Sequence, residues 1–115
     1  MRDRLGHHDL CFGCGPANVF GLHLEVERAP GGDGVTGRFF VKQDHQGEGG
    51  VAHPGVIAAA LEEALAIAAG AYPRRVLVEH HGAAPVGTFV EITAAGGRAR
   101  ATGEQGLVAT ASVSE

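Results

Sequence analysis

Two adjacent carboxylates, Glu62 and Glu63, interrupt an otherwise apolar segment, HPGVIAAALEEALAIAAG, at residues 53–70. Partial burial of a carboxylate raises its pKa and makes it a stronger base or nucleophile. Neighbouring residues of a helix point about 100° apart, so these two side chains cannot face the same site. We therefore expect at most one of them to carry chemistry and the other to lie at the surface, solvated or in a salt bridge. A surface position is an alternative for both, because glutamate is rarely buried without a partner.

The residues ahead of the carboxylates have the pattern of a helix start. Pro54 fits the first turn of a helix, where its missing N–H costs nothing, and His53 then falls near the N-cap. We expect the helix to run to about Ala69, with Gly70 as its C-terminal stop. Because the segment is apolar nearly all round, it is predicted to be a central helix that is packed on most sides. His53 either caps this helix or polarises a substrate.

Two cysteines, Cys11 and Cys14, form a C-x-x-C pair in the N-terminal sequence CFGCG. Without a secretion signal a structural disulfide is not expected, and no βαβ pattern surrounds the pair to suggest a redox motif. A zinc site needs four ligands, and His7 and His8 are the nearby candidates for the missing two. Two adjacent histidines rarely reach one ion together. A tight turn is therefore the preferred interpretation, and we expect neither a metal nor a cofactor.

Length and charge limit the classes of function. At 115 residues the chain is predicted to form a single domain over 1–115, with residues 1–20 as an N-terminal extension that contains the cysteines. The net charge of −4 and the lack of a basic block argue against nucleic acid or an anionic membrane surface as partner. The longest apolar run is too short to span a bilayer, and the N-terminus lacks the apolar core of a signal peptide. A cytoplasmic location is expected.

The remaining sequence is organised into short alternating segments that predict strands. LHLEVER and VTGRFFVKQ, joined by the turn sequence APGGDG, predict an antiparallel hairpin ahead of the helix. Four further strands are predicted after Pro73, in RRVLVEHH, GTFVEITAA, RARAT and LVATASV. The order is therefore β-β-α-β-β-β-β. One helix can cover six strands only if the sheet curls around it, which indicates an α+β fold.

Three segments together carry a resemblance to a known family: CFGCGPANVFGLHL, HQGEGGVAHPGVIAAALEE and PVGTFVEI. The first resembles the opening of one acyl-CoA thioesterase branch of the hotdog-fold thioesterases. The second resembles their loop-and-helix signature, His-Gly-Gly followed by an acidic residue nine positions after the His. The third resembles the strand entry after the helix. The resemblance covers most of the chain and implies the hotdog fold, in which a curled antiparallel β-sheet wraps around one long central helix.

The resemblance also assigns candidate catalytic residues. Glu62 stands nine positions after His53 and matches the catalytic carboxylate of the family, which acts as a nucleophile on the thioester carbonyl or as a base on water. Gln46 matches a loop residue that positions substrate or water. The family has a glycine after the His, whose N–H stabilises the oxyanion, whereas this chain has Pro54, which has no N–H. Either Gly55 takes over this role at the helix N-terminus or hydrolysis is weak.

We therefore expect an acyl-CoA hydrolase, an enzyme that cleaves acyl-CoA or another acyl thioester with Glu62 as nucleophile or general base. Two alternatives from other classes remain. One is a hotdog hydratase or dehydratase with His45 or His53 as its base. The other is a non-catalytic acyl-thioester binding protein that lost its oxyanion donor through Pro54.

Helix geometry predicts that the working unit is at least a homodimer. His53 and Glu62 are nine residues apart, which places them roughly 13 Å apart along the helix axis and on opposite faces. One thioester carbonyl must lie within about 3 Å of both its nucleophile and its oxyanion donor. Two antiparallel copies of the helix about a two-fold axis meet this requirement, because each N-terminus then lies beside the partner's carboxylate. A dimer of two such dimers, a homotetramer, is the further expectation.

Overall fold

The computed structural model describes residues 4–114, which form one α-helix and seven strands. Residues 1–3 and 115, the ends of the predicted domain and of its N-terminal extension, lie outside the described residues. The elements in chain order are β1 (Arg4–Leu5), β2 (Glu25–Arg28), β3 (Val35–Phe40), a short 3-10 helix (Gln43–His45), α1 (Pro54–Ala69), β4 (Val76–His80), β5 (Phe89–Ala95), β6 (Arg98–Gly103) and β7 (Gly106–Val113). The predicted β-β-α-β-β-β-β order is confirmed. The two-residue strand β1, in the predicted N-terminal extension, precedes it.

The strands within residues 4–114 form a single sheet in the order β1-β2-β3-β5-β6-β7-β4, and every neighbouring pair is antiparallel. The predicted hairpin of β2 and β3 is confirmed by its register, in which Val26 lies opposite Gly37. Helix α1 packs against the strands β3 to β7. The predicted α+β fold, a curled antiparallel sheet around one long helix, is thereby confirmed.

The core lies between α1 and the inner face of the sheet. Along β5, buried and exposed residues alternate, so that Val90, Ile92 and Ala94 face the helix. On the helix side of the core, Leu61 and Ala64 are both fully buried. Small alanine side chains on the helix, such as the fully buried Ala60 and Ala64, allow the strands to approach it closely.

Both ends of α1 are fixed by the residues predicted for them. The side chain of His53 caps the N-terminus, where its Nδ1 accepts the N–H of Gly55 at 2.8 Å. At the other end Gly70 has φ 85°, a left-handed conformation that glycine adopts without strain, and its N–H bonds to the carbonyl of Ala66. No helix of the described residues is both long and apolar enough to cross a bilayer. The predicted bounds of the helix are confirmed.

The first predicted strand, LHLEVER, begins three residues later than expected. Its early backbone groups pair with the cysteine turn instead, since the N–H of Leu22 donates to the carbonyl of Phe12 and that of Leu24 to Gly13. Between them His23 takes a positive φ of 53°, which breaks the extended geometry. The regular strand therefore starts at Glu25.

Two adjacent phenylalanines of β3 test the position of the core. Phe39 is 1% exposed and faces α1, whereas Phe40 is 43% exposed on the outer face. We expect Phe39→Ala to lower the free energy of unfolding by about 3 to 5 kcal/mol, because it leaves a cavity in the core. Phe40→Ala, which loses only a cross-strand ring contact with Phe89, should cost about 1 kcal/mol or less. Urea denaturation of both variants measures this difference; equal losses would contradict the assigned faces of β3.

Candidate functional site

Glu62 lies half-buried in the middle of α1. Among residues 4–114 no hydrogen bond or ion pair engages its carboxylate. It shares a partly exposed stripe of the helix with Gly55, Ala58 and Ala59, because a step of seven residues returns to within about 20° of the same direction. Gly55 and Glu62 are roughly 10 Å apart along the axis. The carboxylate is thus available to a ligand that enters along this stripe.

The amides at the N-terminus of α1 are occupied by the cap. Gly55 donates its N–H to His53 Nδ1 at 2.8 Å, and Val56 donates to the His53 carbonyl at 2.9 Å, while Pro54 has no N–H. The expected capping role of His53 is confirmed. For Gly55 to stabilise an oxyanion, the exposed His53 ring must first release its amide. That oxyanion role of Gly55 stays a prediction.

Gln46 lies in the loop that leads into α1, and it bonds to its own loop. Its Oε1 accepts the N–H of Gly50 at 2.7 Å and its Nε2 donates to the carbonyl of Gln43 at 2.9 Å. The loop lies close against the start of the helix: a Cβ atom added at Gly47 would be only 3.0 Å from the Cα of His53. The structure therefore brings Gln46, His53 and Gly55 to one end of the helix, away from Glu62.

His45 is a buried structural residue. It is 3% exposed, its Nδ1 accepts the N–H of Lys42 at 3.1 Å, and its ring packs edge-on against Phe39. Its Nε2 points toward the backbone of Gly21 and, among the described residues, forms no hydrogen bond of good geometry. Burial, together with the nearby charge of Lys42, lowers the pKa of His45. This position gives a substrate no access to the ring.

Glu63 is buried, so its expected surface position is wrong. It is 3% exposed, and each carboxylate oxygen has a partner. Oε1 accepts the hydroxyl of Tyr72 at 2.7 Å; Oε2 forms an ion pair with His7 Nδ1 at 2.6 Å and accepts the thiol of Cys11 at 3.4 Å. The salt bridge that we expected as one possibility for this residue is present, with His7 as the partner. Burial occurs because the N-terminal segment folds over this face of α1, which the pattern of the helix alone does not reveal.

The two cysteines lie in the predicted tight turn, and this turn rests on the helix. The N–H of Gly15 bonds to the carbonyl of Cys11 at 2.8 Å, and Cys14 is 2% exposed. Gly13 lies directly on the carboxylate, since a Cβ there would come within 2.6 Å of the Glu63 carboxyl carbon. We refer to His7, Cys11, Cys14 and Glu63 as the His-Cys-Glu cluster.

Electrostatic interactions within the cluster favour the charged forms of Glu63 and His7. Although burial opposes it, contacts with Cys14, Tyr72 and Cys11 hold the pKa of Glu63 below its usual range. The hydrogen bond with Cys11 raises the pKa of His7, and the nearby Glu63 charge adds to this shift. Burial raises the pKa of Cys14 to about 12. Glu63 and His7 are therefore arranged as an ion pair beside two cysteine sulfurs.

Comparison with solved structures finds the same fold in thioesterase superfamily proteins. One thioesterase superfamily protein is 19% identical with a TM-score of 0.75, over 90% of this chain and 58% of that one. A mutant of the phenylacetic acid degradation protein PaaI from Thermus thermophilus is 26% identical with a TM-score of 0.69, over 78% and 89% of the two chains. A hypothetical thioesterase from Streptococcus pneumoniae, in a structure with coenzyme A, is 16% identical with a TM-score of 0.64, over 76% and 80%.

These matches define the fold class of the protein. The chain has the hotdog fold of the thioesterase superfamily, which confirms the resemblance found in its sequence. It spans less than two thirds of the first of these structures. No protein-family model and no curated protein sequence matches it.

The buried His45 predicts a pH-dependent loss of stability. Because its pKa in the folded state lies below its value of about 6.5 in the unfolded chain, the unfolded state binds more protons and acidification favours unfolding. We expect this contribution to be fully present above about pH 6.5 and to be lost as the pH falls below it.

His45→Asn removes the titrating group and keeps an acceptor for the Lys42 amide. Urea denaturation between pH 7.5 and about pH 5 should show a smaller pH dependence in this variant than in the wild type, by up to about 1.4 kcal/mol per pH unit. The exposed His80 offers the matched variant His80→Asn, which should behave like the wild type. An unchanged slope in His45→Asn would mean that His45 does not titrate in this range.

Proposed function

We propose that the protein hydrolyses acyl thioesters and that Glu62 is its catalytic carboxylate. The observation that carries this proposal is a half-buried carboxylate without a protein partner among the described residues, in the middle of the central helix of a hotdog fold. The thioesterase superfamily neighbours support this general class of reaction. The structure of Glu63 adds to the assignment by exclusion, because both oxygens of that carboxylate are engaged elsewhere.

The proposed reaction needs two groups at the thioester carbonyl. As a general base, Glu62 removes a proton from a water molecule while the water oxygen attacks the carbonyl carbon, and the C–S bond breaks as the tetrahedral intermediate collapses. As a nucleophile, Glu62 attacks that carbon itself, the C–S bond breaks to leave an anhydride, and water then hydrolyses the anhydride. In both routes the thiolate leaves easily because thiols have a pKa of about 8.5. The second group is a donor to the carbonyl oxygen, for which the Gly55 amide is our candidate.

A single copy of α1 does not bring these two groups together. Gly55 and Glu62 lie on the same stripe but roughly 10 Å apart along the axis, and one carbonyl has to be within about 3 Å of both. If two helices run antiparallel with their stripes facing each other, Gly55 of one chain lies opposite Glu62 of the other. The small residues Ala58 and Ala59 between them permit such a close approach. We therefore propose two equivalent sites shared between the subunits of a homodimer.

The edge of the sheet supports the same assembly. Strand β4 is the last strand on its side of the sheet in the described chain, so its outer backbone groups are open to pairing. Leu77 of this strand is 59% exposed. Antiparallel pairing of β4 with a second copy would continue the sheet through a two-fold axis, and α1, which packs on β4, would then approach its counterpart. A dimer of two such dimers is the tetramer that we propose to look for by native mass spectrometry.

Acyl-CoA is the first substrate to test, since the Streptococcus pneumoniae neighbour is described with coenzyme A. Acyl groups on a carrier protein are the second. A non-catalytic acyl-thioester binder is a further candidate, because Pro54 lacks an N–H and the Gly55 amide is held by the His53 cap. Release of free thiol from a panel of acyl-CoAs distinguishes hydrolysis from binding without turnover.

Glu62→Gln is the decisive variant. It keeps the size of the side chain and removes its basicity, so we expect hydrolysis to fall by at least about a hundredfold while the circular dichroism spectrum is unchanged. Free thiol release from acyl-CoA measures the rate.

Two glutamates serve as controls for Glu62→Gln. Glu104→Gln, at an exposed turn, should leave both rate and stability unchanged. Glu63→Gln disturbs a buried ion pair and should lower the unfolding temperature without lowering kcat of the folded protein. If Glu63→Gln abolishes turnover and Glu62→Gln does not, the catalytic carboxylate has been assigned to the wrong residue.

Subunit exchange tests the shared site. A Glu62→Gln chain lacks the carboxylate, and a Gly55→Pro chain lacks the amide donor, so each homodimer should be inactive. Mixing the two under conditions that exchange subunits should restore up to one working site in each mixed dimer. The control is a mixture of Glu62→Gln with itself, which should stay inactive. Full activity of a wild-type monomer at concentrations below dimer dissociation would refute the shared site.

A further inference from the structure

We propose that the His-Cys-Glu cluster binds a zinc ion, which fastens the N-terminal segment to the central helix. The proposal does not depend on the proposed hydrolysis. Its basis is that one ligand atom from each of four side chains, His7 Nδ1, Cys11 Sγ, Cys14 Sγ and a Glu63 carboxylate oxygen, lies within 4.8 Å of all the others. Two of these residues, Cys14 and Glu63, are almost completely buried.

The spacing of the atoms fits tetrahedral zinc. Zn–S bonds of about 2.3 Å and Zn–N or Zn–O bonds of about 2.0 Å place neighbouring ligand atoms about 3.3 to 3.8 Å apart. In the cluster, Sγ of Cys14 is 3.6 Å and Sγ of Cys11 is 3.9 Å from His7 Nδ1, and Sγ of Cys11 is 3.4 Å from Glu63 Oε2. The His7–Glu63 pair, at 2.6 Å, is closer because its two atoms form a direct hydrogen bond, and it would open by roughly 0.7 Å around an ion.

The groups around the cluster orient its ligand atoms. The Tyr72 hydroxyl binds Oε1 of Glu63 and leaves Oε2 directed at His7 and Cys11. The backbone N–H of His7 donates to Sγ of Cys14 at 3.4 Å, and the backbone N–H groups of Gly13 and Cys14 donate to Sγ of Cys11. Hydrogen bonds of this kind stabilise thiolates and fix ligating carboxylates, and they are a regular part of protein metal sites.

The chain geometry explains why His7 and not His8 completes the cluster. His8 Nδ1 accepts the N–H of Leu10 at 3.0 Å, which turns its ring to a local backbone bond. The fourth ligand comes from α1, where Gly13 allows the cysteine turn to lie directly on Glu63. Two cysteines separated by two residues are a usual zinc-ligand spacing, and two thiolates with an imidazole favour zinc over hard cations. Four protein ligands without an open position indicate a structural site.

Other chemistries fit the arrangement less well. In a nucleophilic Cys-His-acid triad the cysteine and the acid contact opposite nitrogens of the imidazole. Here both Cys11 and Glu63 approach the same atom, Nδ1 of His7, so the ring cannot relay a proton between them. A disulfide between Cys11 and Cys14 would remove both sulfur ligands and would exclude zinc.

The test uses the full chain purified under reducing conditions. We expect about one zinc per chain by inductively coupled plasma mass spectrometry. After removal of the metal, Co²⁺ should give the visible bands of a tetrahedral ion together with a thiolate-to-metal charge-transfer band. Chelation should lower the unfolding temperature, since the ion binds only the folded state.

Matched variants locate the ion. Cys14→Ser and Glu63→Gln should lose the zinc or bind it more weakly. His8→Gln, beside the ligand His7, and Glu62→Gln, beside the ligand Glu63, should retain it. Tyr72→Phe keeps all four ligands and removes only the hydroxyl on Glu63, so it should weaken zinc affinity by about 10- to 100-fold.

Three outcomes would overturn the proposal. The first is a reduced wild-type chain that binds neither zinc nor Co²⁺, a measurement that needs no variant to fold. The second is zinc that remains stoichiometric in the folded Cys11→Ser, Cys14→Ser double variant. The third is a Cys11–Cys14 disulfide in the purified protein, with no metal binding once it is reduced; this would make the cluster a redox pair.

Discussion

The burial of a single helix on nearly all sides is the constraint on which this structure depends. One sheet has to provide most of the cover for α1, and it can do so only by curling around the helix. Alanines on the helix let the strands come close, and each strand meets them with alternating apolar residues such as Val90 and Ile92. A charge on such a helix either reaches an open stripe or needs partners. The two neighbouring glutamates illustrate both cases.

Glu63 has its partners because the N-terminal segment supplies them. Burying an unpaired carboxylate costs several kcal/mol, so this position would destabilise the helix if nothing covered it. His7 provides a positive charge and Tyr72 a hydroxyl, and the glycine at position 13 lets the turn come into contact with the carboxylate. Glu62, rotated by about 100°, avoids all of these groups and keeps its carboxylate available to a ligand. The rotation of one residue thus separates a structural carboxylate from the candidate catalytic one.

Periodicity was sufficient to predict most of the fold. The helix from Pro54 to Ala69, its cap at His53 and the six main strands follow from local patterns, because each depends on residues close in sequence. The cluster does not, since Glu63 is distant along the chain from Cys11. Near the cysteines the sequence offers His7 and His8 as further zinc ligands, whereas Glu63 on the central helix becomes a candidate only because the folded N-terminal turn lies on it. The hydrogen bond from the Leu22 N–H to the Phe12 carbonyl in this turn could not be predicted either, because it also depends on where the turn lies in the folded chain.

At the helix N-terminus, the His53 side chain and a developing oxyanion compete for the N–H of Gly55, and the free energies of the two hydrogen bonds decide the outcome. The Gly55 amide bonds to His53 in the structure, and an N-cap of this kind is worth about 0.5 to 2 kcal/mol. A donor to a developing oxyanion is worth about 2.7 to 4 kcal/mol. In the proposed hydrolysis the Gly55 N–H therefore exchanges its hydrogen bond to His53 for one to the oxyanion. The exposed His53 ring then finds water as its replacement partner at little cost. Because the exchange becomes favourable only as negative charge develops on the carbonyl oxygen, the interaction would stabilise the transition state more than the bound substrate, which is the condition for a faster reaction.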